Sequence, residues 1–252
     1  MIEVKLDWET EGLQFALKNN DIIVIVDTLR FSSTVITAIA NGFIIYPSSN
    51  MEQGETFAAS IGAEMSGKTG EAKFSLSPIS FLKAHDNKIK KVVLYSPNGA
   101  ACSELAKNTD YAFIGTLLNA KAVGEKITDL AQKTGRNITL IAAGEQRAIE
   151  SGERIEYIKE VAHRVFAGED YLGCGAIISY INIPKSPEAE ICESAFRGSK
   201  DKLKELLLNS FSGRYLVQKN ESQDVDFVSQ LNHYDVVPVI SNTDVLCITR
   251  SI

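Results

Sequence analysis

The chain has 252 residues, 44% hydrophobic and 23% charged, an ordinary composition for a globular protein with a substantial core. Its formal charge of −6 argues against non-specific nucleic acid binding, although a local basic pocket could still accept a small anion. No apolar run approaches the roughly 18 residues that a bilayer requires, the opening MIEVKLDWET has no apolar signal core, and the four cysteines show no CxxC pair. A cytoplasmic protein without a disulfide framework or zinc knuckle is expected.

In chain order, apolar residues at 2, 4, 6 and 8 predict a half-exposed strand, and 11–18 a short helix. The run IIVIV at 22–26 is apolar and β-branched throughout, which predicts a strand buried on both faces and closed by Asp27. Arg30 follows. Ser32, Ser33 and Thr34 offer N-cap hydroxyls ahead of a helical run at 35–40, and Asn41-Gly42 can end it. Thr34, Val35, Ile36, Thr37 and Ile39 are all β-branched, so burial rather than propensity must hold this helix. A carboxylate at the strand end can hold a hard cation through oxygen, while a helix N-terminus with hydroxyls and Arg30 suits a phosphate. The plainer alternative pairs Asp27 with Arg30 and leaves the serines as caps.

Residues 43–46 predict a second strand stopped by Pro47, and 51–60 a helix. The stretch 61–78 is rich in glycine, serine and charge, a long excursion of a kind that is usually functional or mobile. Strands at 91–95, 111–114 and 138–142 run into the turns Ser96-Pro97-Asn98-Gly99, Gly115-Thr116 and Gly144-Glu145. Helices are expected at 100–107 and from 116 to 134. Strand–turn–helix units ending at Asp27, Ser96, Gly115 and Gly144 predict an α/β fold: a largely parallel or mixed sheet with helices on both faces, whose turns share one ligand-binding rim. The second half reads as more helical, over 152–166, 169–180 and 200–209. The chain is expected to be a single domain, with 183–187 the best internal break. Strands at 236–240 and 245–249 close it, and Pro238 argues for an edge position.

Among polar residues, Ser96, Asn98 and Gly99 lie where a backbone can approach a ligand. Glu145 directly follows a buried strand, where a carboxylate is costly unless paired or metal-bound. Glu169 and Asp170 open a helix and could serve its dipole alone; Gly173 and Gly175 in that helix suggest close packing. His85, His163 and His233 lack metal-ligand spacing and read as structural or surface residues. Leu29 stands where a second haloacid-dehalogenase aspartate would be, and Cys192 to Arg197 is one residue short of a cysteine-phosphatase loop. A carboxylate-rich, metal-dependent site of another kind remains.

These residues resemble a family. VDTLRFSSTVITAIANG, SPNGA at 96–100, GTLLNA at 115–120, AAGE at 142–145 and EDYLGCGAI at 169–177 are similar, in order and spacing, to the 2-phosphosulfolactate phosphatases. SGRYL at 212–216 and DVVPVI at 235–240 extend the likeness more weakly. The resemblance implies an α/β enzyme of coenzyme M biosynthesis that uses Mg²⁺ to hydrolyse 2-phospho-3-sulfolactate to sulfolactate and phosphate. It makes Asp27 the central acid, with Arg30, Ser32 and Ser33 beside it, puts Asn98 and Gly99 on the family's Asn-Gly turn, and makes Glu169 and Asp170 its acidic pair. With Glu145 added, the expected metal set is Asp27, Glu145, Glu169 and Asp170, and the catalytic set Asp27, Arg30 and Glu145. Substrate contacts are expected from Arg30, Ser32, Ser33, Ser96, Asn98, Gly99 and Arg147. Two departures stand out: Ser96-Pro97 replaces the commoner Thr-Thr, and 146–168 is longer than usual. That segment, with Arg147 and Arg154, is favoured over Lys68 and Lys73 as reader of the far anion. The alternatives are a phosphatase of another small hydroxy-acid phosphate and a non-catalytic anion-binding protein. Partners are thus a small anionic ester, with neither nucleic acid nor membrane, and a homodimer left open.

Overall fold

In the computed structural model, residues 2–82, 90–146, 148–151, 154–157, 164–241 and 245–251 are described. The first half runs β1 (Val4–Trp8), α1 (Glu9–Lys18), β2 (Ile22–Val26), α2 (Phe31–Ala40), β3 (Ile44–Ser48), α3 (Met51–Ile61), β4 (Glu64–Met65), α4 (Ile79–Leu82), β5 (Lys91–Tyr95), α5 (Gly99–Leu105), β6 (Ala112–Ile114) and α6 (Ala120–Thr134). Next come β7 (Ile138–Ala142), β8 (Glu145–Gln146), β9 (Ala148–Ser151), β10 (Arg154–Tyr157), β11 (Arg164–Val165) and α7 (Gly168–Ile178). The chain ends with α8 (Pro187–Ser199), α9 (Leu203–Asn209), α10 (Phe211–Gln218), α11 (Ser222–Val228), β12 (Pro238–Ser241) and β13 (Cys247–Arg250).

The α/β expectation holds, as a mixed sheet of 9 strands in the order β1-β7-β2-β6-β12-β13-β3-β5-β4. β1, β7, β2 and β6 form one parallel block and β3, β5 and β4 another. Antiparallel β12 and β13 join the blocks, which therefore run in opposite senses. Both joints are slight, with Val239 opposite Phe113 and Ile248 opposite Ile45 as the paired positions. Such joints let the sheet curl. In a flat sheet β2 and β5, five steps apart in the order, would be separated by roughly 24 Å at strand spacing. Yet the Gly99 N–H, just past β5, lies 2.9 Å from Asp27 Oδ2, just past β2.

Inside the curl lies α2, touching β6, β12, β13 and β3. Every residue from Phe31 to Ile39 is buried, so the poor helix former is held by its surroundings, as its composition demands. β2 is buried along its whole length. α7 packs on its Val24 and Val26 side through Ile177 and Gly173. Ile23 and Ile25 point the other way and are also fully buried. One core runs from Val4 to Ile248. The segment around Pro184 follows β1, with Val4 N–H bonded to Pro184 O at 2.8 Å and Ser186 N–H to Val4 O at 2.8 Å.

Several expectations are corrected. α2 begins at Phe31 rather than after Ser32–Thr34, and no side chain of its N-cap residue Arg30 caps it; Asp27 accepts the Phe31 N–H instead. β3 continues through Pro47. Ile44 and Ser48 bond toward β5, so Pro47 faces the β13 side, where the paired position is Ile45 and no ladder bond is lost. β12 is interior, not an edge; Pro238 is its first residue, where a missing N–H is tolerated. The helix expected over 152–166 is replaced, where described, by the antiparallel pair β9 and β10 and by β11, which pairs with β8. The 61–78 excursion packs on the core and buries Ser66, Phe74, Ser75 and Ser77, with Phe74 stacked on Phe81. Gly115-Thr116 adjoins the end of β2, with Gly115 N–H bonded to Ile25 O at 3.1 Å, while Thr116 caps the next turn locally by accepting the Leu118 N–H.

Gly173 and Gly175 mark close packing as expected. A Cβ on Gly175 would sit 2.4 Å from the backbone oxygen of Cys192 on α8. Gly175→Ala should therefore cost about 1–3 kcal/mol in urea unfolding; wild-type stability in this variant would mean that α7 and α8 part easily.

Candidate active site

Asp27 ends β2 and is 5% exposed. Its Oδ1 accepts the N–H of Phe31 at 3.1 Å and its Oδ2 that of Gly99 at 2.9 Å, so one carboxylate caps the first residues of α2 and α5 together. Gly99 is required by this approach: a Cβ would lie 2.3 Å from the Phe31 ring and 2.8 Å from Asp27 Oδ2. Burial, followed by the charge of Glu145, outweighs these donors and pushes Asp27 up from 3.8 to about 7.

Asp170, in the first turn of α7, accepts from Thr28 N–H at 2.7 Å and Gly144 N–H at 3.0 Å. Both its oxygens thus bolt together the turns that follow β2 and β7. Burial, then the charges of Glu169 and Asp27, push it well above the ordinary carboxylate range. Glu145 stands at the base of the β8–β11 ribbon. Its Oε1 accepts from Asn98 Nδ2 at 3.2 Å and Gln146 N–H at 2.7 Å, and its Oε2 lies 2.8 Å from Ser212 Oγ. Glu169 Oε1 lies 2.5 Å from the same hydroxyl. Ser212 has one proton to give, so in the metal-free site one of these two contacts needs a protonated carboxyl. Glu169 fits that role, since burial raises it against the opposing Ser212 bond.

The turns after β2, β7 and β5 therefore gather Asp27, Glu145, Asn98 and Gly99, and α7 adds Glu169 and Asp170. Other expected residues bond to partners other than the cluster's carboxylates. Arg30 does not pair with Asp27; its guanidinium binds Glu221 and, at 2.5 Å, Asp224. Asp224 is fully buried, also accepts from Ser77 Oγ at 2.6 Å, and is raised by burial despite Arg30. Ser32 Oγ accepts the Asp27 N–H and donates to Ile25 O, while Ser33 Oγ donates to Thr28 O. Ser96 Oγ accepts the Asn98 N–H at 3.3 Å. These hydroxyls shape the turns. Arg147, His85 and His163 lie outside the described residues. His233 packs edge-on against Tyr234 and Phe227, as a structural residue would.

Ser212, Glu221, Asp224 and Ser77 were not singled out in the sequence. Only the weak SGRYL likeness touches Ser212, and nothing local marks the other three.

Glu145 and Glu169 line a cleft of about 330 Å³ walled by Phe166, Leu172, Leu206 and Phe211. Phe166 also packs on Trp8, with centroids 5.1 Å apart, and Trp8 stacks on Tyr171 at 6.1 Å. Thr28 Oγ1, Asn98 Oδ1 and Glu169 Oε2 are buried without a hydrogen-bond partner. Orphaned oxygens beside ionisable carboxylates suit a hard cation. Among the described residues no three His, Cys, Asp or Glu side chains form a ready cage. Mg²⁺ needs none, since it is commonly held by one or two carboxylates, waters and substrate phosphate.

A buried carboxylate cluster at the meeting of strand-end turns, open to a cleft, defines an α/β enzyme with an acidic active site. A family profile described as 2-phosphosulpholactate phosphatase matches residues 9–243, and the chain belongs to that family of phosphoric monoester hydrolases. It is 29% identical, over 88% of both chains, to a probable 2-phosphosulfolactate phosphatase of Carboxydothermus hydrogenoformans. It is 28% identical to one from Pseudothermotoga lettingae, over 86% of this chain and 88% of that protein. A 2-phosphosulfolactate phosphatase of Methanocaldococcus jannaschii is 25% identical, over 88% of this chain and 90% of its own. No helix among the described residues is long and apolar enough to cross a membrane.

Two outcomes follow from this geometry. A carboxyl raised on folding favours the folded state below its unfolded value and loses that contribution as pH climbs through the folded one. Thermal melts in EDTA should therefore show stability falling between 3.8 and about 7, the window of Asp27; a midpoint that rises across this window would contradict the buried, charged cluster. Asp170→Asn would set an amide NH₂ against a backbone N–H and should cost about 1–3 kcal/mol in unfolding. Glu169→Gln, with Oε2 unpartnered, should cost less.

Proposed function

We propose that the protein is a Mg²⁺-dependent phosphatase that hydrolyses 2-phospho-3-sulfolactate to sulfolactate and phosphate in coenzyme M biosynthesis. The observation that carries the metal requirement is electrostatic. The acidic cluster has no spare cation from Arg30, whose two carboxylate partners outnumber it. A substrate with phosphate, carboxylate and sulfonate brings about four more negative charges, so neutralisation must come from a bound cation and from basic groups nearby. The substrate itself is supported by the family match and the names of the relatives.

On this reading Asp27 and Glu145 give carboxylate oxygens to the cation and Asn98 Oδ1 gives a neutral one, with Glu169 and Asp170 completing the acidic surround. When bound, Mg²⁺ would draw charge from the phosphate oxygens and favour attack at phosphorus. The chain supplies the rest. Two helix N-termini fix the orientation of Asp27 through the Phe31 and Gly99 N–H groups. Asp170 locks the turns that carry Asp27 and Glu145. Water, oriented by a hydrogen bond to the unpartnered Glu169 Oε2, adds to phosphorus, the bond from phosphorus to the ester oxygen breaks, and the proton lost by water ends on that departing oxygen.

Phosphate release from 2-phospho-3-sulfolactate, assayed with Mg²⁺ and with EDTA, tests the reading. Chelation should lower the rate at least about 10²-fold, and Asp27→Asn should lower kcat by about 10²–10³-fold or more in a folded protein. Full-rate hydrolysis in EDTA would remove the metal from the reaction. Faster turnover of a hydroxy-acid phosphate lacking the sulfonate would reassign the substrate, and tight binding with no turnover under any divalent cation would make this a binding protein.

A further inference from the structure

The contact that this reading leaves without a task is the hydroxyl of Ser212. It is 3% exposed, comes from the first turn of α10, and lies 2.8 Å from Glu145 Oε2 and 2.5 Å from Glu169 Oε1. The three groups come from distant parts of the chain, so the arrangement is not a by-product of local backbone geometry. Two glutamates held against each other would turn away if only the cleft constrained them. A hydroxyl between them gives each a fixed partner, for Glu145 on the oxygen not bonded to Asn98.

The support behind the hydroxyl is stiff. Ser210 caps α10, its Oγ accepting the Gly213 N–H at 3.1 Å. Next to Ser212, Gly213 packs so tightly that a Cβ there would lie 1.8 Å from Leu207 O on α9. The α9–α10 corner thus cannot shift without opening its own packing. The same corner, through Leu206, Asn209, Ser210 and Phe211, also walls the cleft.

We propose that Ser212 is a positioning residue: its hydroxyl holds Glu145 in the direction that reaches the cation and Glu169 in the direction that reaches the attacking water. It touches neither phosphate nor metal and acts through the two carboxylates. This rests on the metal-dependent reading above. Supporting partners of metal ligands typically change metal affinity or activity by about 10–100-fold when removed.

The test compares wild type, Ser212→Ala and Ser212→Thr as full-length protein. Mg²⁺ binding is measured by calorimetry without substrate, kcat and KM are measured at saturating Mg²⁺, and melts in EDTA verify folding. Ser212→Ala should weaken Mg²⁺ binding about tenfold or more and lower kcat more than it raises KM. Ser212→Thr, which keeps the hydroxyl, should recover most of both. Wild-type Mg²⁺ affinity in Ser212→Ala would overturn the proposal, as would equal losses in the two variants, which would trace the effect to volume rather than to the hydroxyl. A drop in melting temperature with affinity and kcat unchanged would reduce Ser212 to a packing residue. Wild-type protein that takes up no divalent cation would instead remove the metal reading, and this proposal with it.

Discussion

The structure depends on one carboxylate shared by two helices. Asp27 receives the first N–H of α2 on one oxygen and the first N–H of α5 on the other. These helices follow strands from opposite parallel blocks of the sheet, so the bond pair is also what closes the curl. An acid is needed here because each helix start presents unpaired donors that a buried site cannot leave to water. The same burial that makes the bonds strong makes the charge costly, and the cluster therefore favours protonation or a cation. Closure of the fold and appetite for positive charge have one origin.

Around that carboxylate the other acids have distinct tasks, which their hydrogen bonds reveal better than their proximity. Asp170 spends both oxygens on backbone N–H groups and behaves as a brace. Glu145 is held by Asn98 and Ser212 while facing the cleft, and Glu169 keeps an oxygen without a partner. Arg30 stands beside the site in sequence, but its charge is spent on α11, and Ser77 ties the same acid to the 61–78 excursion. Residues far apart in the chain are thereby locked to the start of α2.

The sequence made the centre of this arrangement visible and hid its supports, for physical reasons. IIVIV followed by Asp27 is a local, continuous signal, and β-branched residues in a helix imply burial whatever the fold. Gly173 and Gly175 betrayed close packing because nothing else favours glycine inside a helix. In contrast, Ile155, Ile158, Val161 and Val165 repeat at helical spacing, yet Arg154–Tyr157 pairs with Ala148–Ser151. Strands of two to four residues are specified by partners rather than by period. Pro47 misled because the cost of a missing N–H depends on which side of the strand it faces, and Pro238 because the first residue of a strand tolerates the loss. The pairing of Arg30 with Asp224, and of Ser212 with two glutamates, spans separations that no spacing rule covers.

The aromatic contact at the end of β1 gives the protein a built-in reporter. Trp8 is the single tryptophan of the chain, and it leans on Phe166 and Tyr171, next-door neighbours of the cleft and of Asp170. Indole emission responds to the polarity and motion of its immediate surroundings. All the tryptophan fluorescence of this molecule therefore originates in contact with the cleft wall, and its colour and intensity are an optical readout of that wall without any label.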